Sequence, residues 1–217
     1  MATEVANMDH HRLRSVRSSR KRPNTKEELE QRTRARMEKT LHPNQVPLPT
    51  FRHNPLHDME SIWWLCTWIM LYLVPSNRRG VKYLENYRKV FSDPSAKRTF
   101  LCSDGVFGNL TAHLLETASL VPPMESWLEQ LEDLYSYCYE TQDASSTPLT
   151  RIRIDDEAIK LSYDSGKQFL EDLKHASRSI SAEFVTLSER YHELSQTAPS
   201  TTRPSRDAFD GVHLPLS

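Results

Sequence analysis

His53, His57, Asp58 and Glu60 crowd into one short stretch and together carry the donor types of a zinc site. A helical site would set two His four apart on one face, but Pro55 lies between His53 and His57 and breaks such a helix. The pair therefore reads as loop histidines, and no metal ligand is assigned. Cys66, Cys102 and Cys138 are odd in number and widely spaced, so neither a C-x-x-C zinc knuckle nor a disulfide framework can be built from them. Cys66 sits among Trp63, Trp64 and Trp68 in an apolar run, where a thiol is inert and the indoles are core side chains, not base-stacking platforms. The chain has only 5 glycines, and none falls in G-x-G-x-x-G or G-x-x-x-x-G-K. A phosphate-cradling loop needs such clusters. No catalytic, cofactor-binding or metal-ligating residue is assigned, and no cofactor.

The elements that would position any chemistry are helical. From Ile62 to Val74 the chain is apolar on every side, with Thr67 the one clearly polar interruption. A helix greasy all round must be enclosed. The run is too short for a membrane span and has the length of a buried core helix. Asp58 and Ser61 at its entry are residue types that cap free N–H groups. Val81, Leu84, Tyr87 and Phe91 then repeat at helical spacing until Asp93-Pro94. Phe107, Leu110, Leu114, Leu115 and Ala118 suggest a third helix. Pro122-Pro123 opens a fourth, with Trp127, Leu128, Leu131, Leu134, Tyr135 and Cys138 on one side.

Composition frames these helices. The 217 residues are 37% hydrophobic with a net charge of −1, which suits a small core with polar ends and excludes a globally basic nucleic-acid binder. Residues 1–50 read as a disordered basic arm, carrying Arg12, Arg14, Arg17, Arg20, Lys21 and Arg22 and a helix-prone piece from Thr25 to Leu41. Arg17–Pro23 has the letters of a nuclear-import or phosphate-contacting patch, although most such runs are simply solvated. A Ser/Thr-rich linker, Asp143–Thr147, precedes a helical extension over 148–196. There Leu149, Ile152 and Ile154 alternate as a weak strand signal. Phe169, Leu173, Ala176, Ile180, Phe184, Leu187, Tyr191 and Leu194 form one apolar stripe, predicting a long helix from about Gly166 to Ser195. Residues 197–217 read as a disordered tail. The opening residues contain no apolar signal run, so an intracellular chain, cytoplasmic or nuclear, is expected. In that setting the Asn109-Leu110-Thr111 sequon is not used.

The stretch His57-Asp-Met-Glu-Ser-Ile-Trp-Trp-Leu-Cys-Thr-Trp68 resembles the start of the large buried C-lobe helix in the fungal-type protein kinase family. Lys97–Leu101, Leu120-Val121-Pro122-Pro123 and Leu128–Glu140 extend the likeness over roughly residues 50–142. The resemblance marks His57, Asp58, Glu60, Ser61 and Trp68 as structural residues of the family motif. It places Asp58 where kinases hold the backbone of the catalytic loop, although a plain N-cap would suit the same residue. Phosphoryl transfer also needs a Gly-rich loop, a Lys–Glu pair, a catalytic-loop Asp and a metal-binding Asp, all upstream of that helix. No H-R-D, D-F-G or V-A-x-K stands before Asp58. Asp9-His10-His11-Arg12 lacks the Asp after Arg, and Ser103-Asp104-Gly105 falls on the wrong side of the helix.

The expected fold is thus all-α, a domain over 51–142 resembling a kinase C-lobe around one fully buried helix. The resemblance implies a catalytically inactive fragment, pseudokinase-like or the product of a truncated gene. Two other readings stay open. One is a non-enzymatic protein-interaction module using the 166–195 helix, with a protein partner of unknown identity. The other is a membrane-associated protein inserting Ile62–Val74, against which the length of the run argues. No nucleic-acid site is convincing.

Overall fold

The structure, a computed structural model, describes residues 1–20, 48–102, 105–143 and 151–197. The helix-prone piece at 25–41, the Ser103-Asp104 pair, most of the linker and nearly all of the tail lie outside the described residues. The described chain is mostly helical, in keeping with an all-α class. Two short N-terminal helices, α1 (Thr3–Asn7) and α2 (His11–Arg20), precede the central α3 (Pro55–Tyr72). Then come α4 (Val81–Phe91), α5 (Pro94–Cys102), α6 (Val106–Thr111), a 3-10 turn over Leu115–Leu120, and α7 (Val121–Asp143). The last helices are α8 (Asp156–Ser177) and α9 (Leu187–Thr197).

The central helix starts earlier than its apolar run suggests. Asn54, not Asp58 or Ser61, is the N-cap, and its side chain accepts from the Leu56 N–H at 3.0 Å. Pro55 occupies the first turn, where its missing N–H and fixed φ are no handicap. It therefore opens the helix and brings His57 inside it, instead of leaving His53 and His57 in one loop. At the other end Pro75 biases Val74 away from helix, and the chain turns into β1 (Leu73–Pro75).

β1 pairs antiparallel with β2 (Phe184–Thr186), in the register Leu73↔Thr186, Val74↔Val185, Pro75↔Phe184. This pairing cuts the long helix expected over 166–195 into α8 and α9. Serine hydroxyls bond the carbonyls at the end of α8. Ser177 Oγ donates to the Lys174 carbonyl and Ser179 Oγ to the Ala176 carbonyl, at 2.8 and 2.7 Å. These bonds occupy carbonyls that a continuing helix would use. Thr186 and Glu189 then form a reciprocal cap that restarts it, with bonds of 2.7 and 3.1 Å. The third expected helix is likewise split. Asn86 Nδ2 donates to the Leu110 carbonyl at the end of α6, and Leu115 beyond it is left exposed. Ile152 and Ile154 form no strand; they pack against the second core described below.

The main core gathers Trp63, Trp64, Leu71, Met124, Trp127 and Leu131 between α3 and α7, with the face of α7 predicted from Trp127 to Cys138 turned inward. α8 folds back over this core. Phe169 stacks on Trp127 with ring centroids 5.8 Å apart, and Leu187 is buried. On α4 the buried positions are Tyr83, Asn86 and Val90, while Val81 is exposed. Nor is α3 enclosed on all sides, because Leu65 and Ile69 are 55% and 42% exposed and Trp68 is half-buried. No helix among the described residues is long and apolar enough to cross a membrane.

Gly166 sets the approach of α8 to α3. A Cβ built there would lie 2.0 Å from Met59 Cε and 3.6 Å from Trp127 Cζ2. Met59 can swing its end away from one methyl, and Ala gains about 1 kcal/mol of helix propensity over Gly. Gly166→Ala is therefore expected to stay near neutral. Gly166→Val should lower stability by about 1–3 kcal/mol through overpacking. Equal melting temperatures for Gly166→Val and the parent chain would contradict this close approach.

Candidate functional site

The densest chemistry lies where α1 and α2 meet the start of α3. Residues 1–20, expected as part of a disordered arm, here fold as two helices whose polar side chains point inward. Thr3, Glu4, His10, His11 and Arg12 are all buried. Apolar anchorage is slight, with Ala2 and Leu13 buried and Val16 packed at the edge. Leu13 joins a second core with Leu56, Leu134, Tyr135, Cys138 and Tyr139. A polar segment can be buried only if its groups are paired, and most of these are.

Glu60 is the first node. It comes from the apolar side of α3 and is 1% exposed. Its Oε1 accepts from the Thr3 N–H (2.7 Å), the Thr3 hydroxyl (2.9 Å) and Trp64 Nε1 (3.0 Å). Its Oε2 accepts from Arg12 Nη1 and the Tyr135 hydroxyl, both at 2.9 Å. Burial pushes the Glu60 carboxyl up, but Arg12 and the Thr3 and Trp64 donors outweigh it and hold the group below the usual carboxylate range. Arg12 also donates to Glu132 on α7 and lies 4.0 Å from the centre of the Tyr135 ring. Burial works against its charge, but Glu60 and Glu132 outweigh it and hold the guanidinium charged.

Glu4 is the second node. It accepts from the Arg12 N–H at 2.9 Å and the Tyr139 hydroxyl at 2.5 Å. The third donor is His57, and its tautomer follows from the helix cap. His57 Nδ1 accepts the Asn54 N–H at 3.1 Å, so the ring proton sits on Nε2 and is donated to Glu4 Oε2, also at 3.1 Å. Burial pushes Glu4 up as well, yet His10, His57, Tyr139 and Arg12 leave it far below an ordinary carboxyl. Tyr139 is correspondingly raised by burial and by Glu4.

The family-motif residues thus divide. His57, Glu60 and Ser61 converge on the N-terminal segment, Ser61 Oγ accepting from the Ala2 N–H at 2.8 Å. Asp58 points outward, half-exposed, and meets His53 Nε2 at 3.3 Å. It is neither the N-cap nor a partner of the N-terminal segment. Trp68 lies farther along α3, stacked on Tyr72 at 4.6 Å and donating to the Tyr87 hydroxyl at 3.2 Å. No group of three or more His, Cys, Asp or Glu among the described residues could hold a metal ion. Cys138 is buried and its thiol pushed up to about 11 by burial, and Cys66 is half-buried and raised likewise. Glu4 and Tyr139 went unremarked in the sequence, and His10, His11, Arg12 and Tyr135 were read there as arm or core residues and not as parts of one site. The one available signal was Glu60 itself, a carboxylate at the head of an apolar helix that needed a buried cation. Compared with protein-family models, curated proteins and solved structures, the chain matches none.

Proposed function

We propose that the chain is a non-catalytic helical module similar to the C-lobe of a fungal-type protein kinase, pseudokinase-like, with the motif helix serving as an anchor. The observation that carries this is the saturation of Glu60. A carboxylate offers about four lone-pair sites, and Glu60 already accepts five donors. Glu4, the other buried carboxylate beside it, accepts three. Glu60 therefore has no lone-pair site left for Mg²⁺ or for the proton of an attacking hydroxyl, and acts as a structural node. Asp9, nearby, is paired with Arg14 at 3.1 Å. The motif helix, which in the resembled family holds the catalytic loop, here grips a segment whose acids are consumed internally.

The reading as an interaction module using the 166–195 stripe is less favoured. Phe169, Leu173 and Leu187 of that stripe already pack on the core.

Purified chain is expected to transfer no phosphate from ATP and to show no melting shift with Mg-ATP. A genuine site at ~100-fold its dissociation constant would add about 2.7 kcal/mol of stability. A saturable upward shift of that kind would overturn the proposal.

A further inference from the structure

The outer face of α4 carries a shallow groove of about 580 Å³, lined by Val81, Leu84, Glu85, Arg88, Lys89 and Ser92. Single exposed apolar side chains are ordinary on a protein surface. Here Val81, 58% exposed, and the half-buried Leu84 form an apolar floor with cations at one end. Arg88 and Lys89 are exposed and have no partner among the described residues. Glu85, the acid on the lining, is tied to Lys82 at 3.3 Å. The groove therefore suits an apolar knob with negative charge beside it.

The outer face of α7 has that combination. The helix contains no Lys or Arg. Glu129, Asp133 and Tyr137 follow one another four residues apart, so they share one face, and all three are exposed. Tyr137 is 59% exposed, and neither Glu129 nor Asp133 is ion-paired among the described residues. We propose that this chain associates head to tail, α7 of one copy docking on α4 of the next, with Tyr137 seated on Val81 and Leu84 and with Asp133 and Glu129 facing Arg88 and Lys89. Tyr137 to Asp133 and Leu84 to Arg88 are each one helical turn and a little more, about 6 Å of rise. Laying the two helices antiparallel thus brings the aromatic ring onto the floor and the acids onto the cations together. A Tyr in a pocket is a common anchor of an interface, and the charges around it fix the register.

The contact cannot form within one chain. Tyr139, just beyond Tyr137, is met by Asn54 Nδ2 at the start of α3, whereas Tyr87 of α4 is met by Trp68 near the other end. Those two points on α3 are about 21 Å apart along its axis. Pairing α4 with α4, or α7 with α7, would set like charges face to face. Each contact leaves one groove and one Tyr137 open, so further copies can add.

The test is sedimentation equilibrium of the full chain. At low salt the average mass is expected to rise with concentration past that of a dimer. At ~1 M salt, where the screening length is ~3 Å, it should return toward the monomer. Val81→Asp and Tyr137→Ala each alter an exposed side chain, and an acid suits the first turn of α4, so both variants should fold. Each alone should be monomeric. Mixed one to one, the Tyr137 of the first meets the intact groove of the second, and a dimer and nothing larger should form. Arg88→Glu with Lys89→Glu should weaken association by about 10-fold or more, and adding Glu129→Lys with Asp133→Lys to the same chain should restore it. A parent chain that stays monomeric at low salt, its groove left to residues 198–217 or to another protein, would overturn the proposal, as would one that stops at a dimer. So would unchanged association in Val81→Asp or Tyr137→Ala, a mixture of those two that stays monomeric, or failure of the second charge reversal to restore the first. The outcome is independent of whether the chain binds ATP.

Discussion

Trp63→Ala is expected to lower global stability by about 3–5 kcal/mol, a large share of the ~5–15 kcal/mol that holds a domain together. Trp63 is fully buried where α3 meets α6 and α7. Its ring lies 5.0 Å from that of Trp64 in an edge contact and 5.7 Å from that of Phe107, and its Nε1 donates to the Met124 carbonyl at 2.9 Å. Truncation leaves a cavity lined by rigid rings that cannot collapse into it, and cavity volume is what drives the loss upward. Trp68→Ala provides the contrast, because Trp68 is half-buried on the outer side of the same helix. It should lose less than the roughly 1.5–3 kcal/mol of a fully buried large side chain. Urea unfolding of the two variants measures the difference. Equal losses would place Trp63 outside the core and sink the packing described above.

The second large effect belongs to Arg12. Arg12→Ala removes the guanidinium that pairs with Glu60 and leaves that carboxylate 1% exposed with its single negative charge uncompensated. Breaking a buried pair by deleting one partner typically costs about 3–5 kcal/mol. The molecule has a cheaper response, which is to release residues 1–20 and wet Glu60. The variant is therefore expected to lose protection over residues 2–13 at neutral pH while α4–α7 remain protected. Limited proteolysis would then cut within residues 1–20 much faster than in the parent chain. If cleavage rates there were unchanged, the Arg12–Glu60 contact would not be what docks the segment.

Much of the helical body was legible from side-chain periodicity. The face of α7 from Trp127 to Cys138 was readable because packing against α3 demands an apolar residue every three or four positions. Folding back of the 166–195 region was readable too, as an apolar stripe needing cover. Its division was not. Ile180 and Phe184 continue the stripe at helical spacing, and nothing local announces that β1 would offer Leu73–Pro75 as a pairing edge. The Thr186–Glu189 cap was there to be read and was outweighed by the longer pattern.

The N-terminal segment was the least legible. A stretch rich in Arg and His, whose few large apolar residues show no helical periodicity, has the composition of a solvated arm, and local rules give no reason to bury it. Its burial depends on partners distant in sequence, with Glu60, Tyr135 and Tyr139 each supplying one half of a pair that has no value alone. By itself, then, the sequence determined an all-α body and an apolar central helix, because those rest on residue type and local spacing. Only the tertiary structure decided that Pro55 opens the helix, that Asp58 faces out, and that Glu60 becomes a filled node. Hydrogen-bond satisfaction is a property of assembled neighbours, and no single segment carries it.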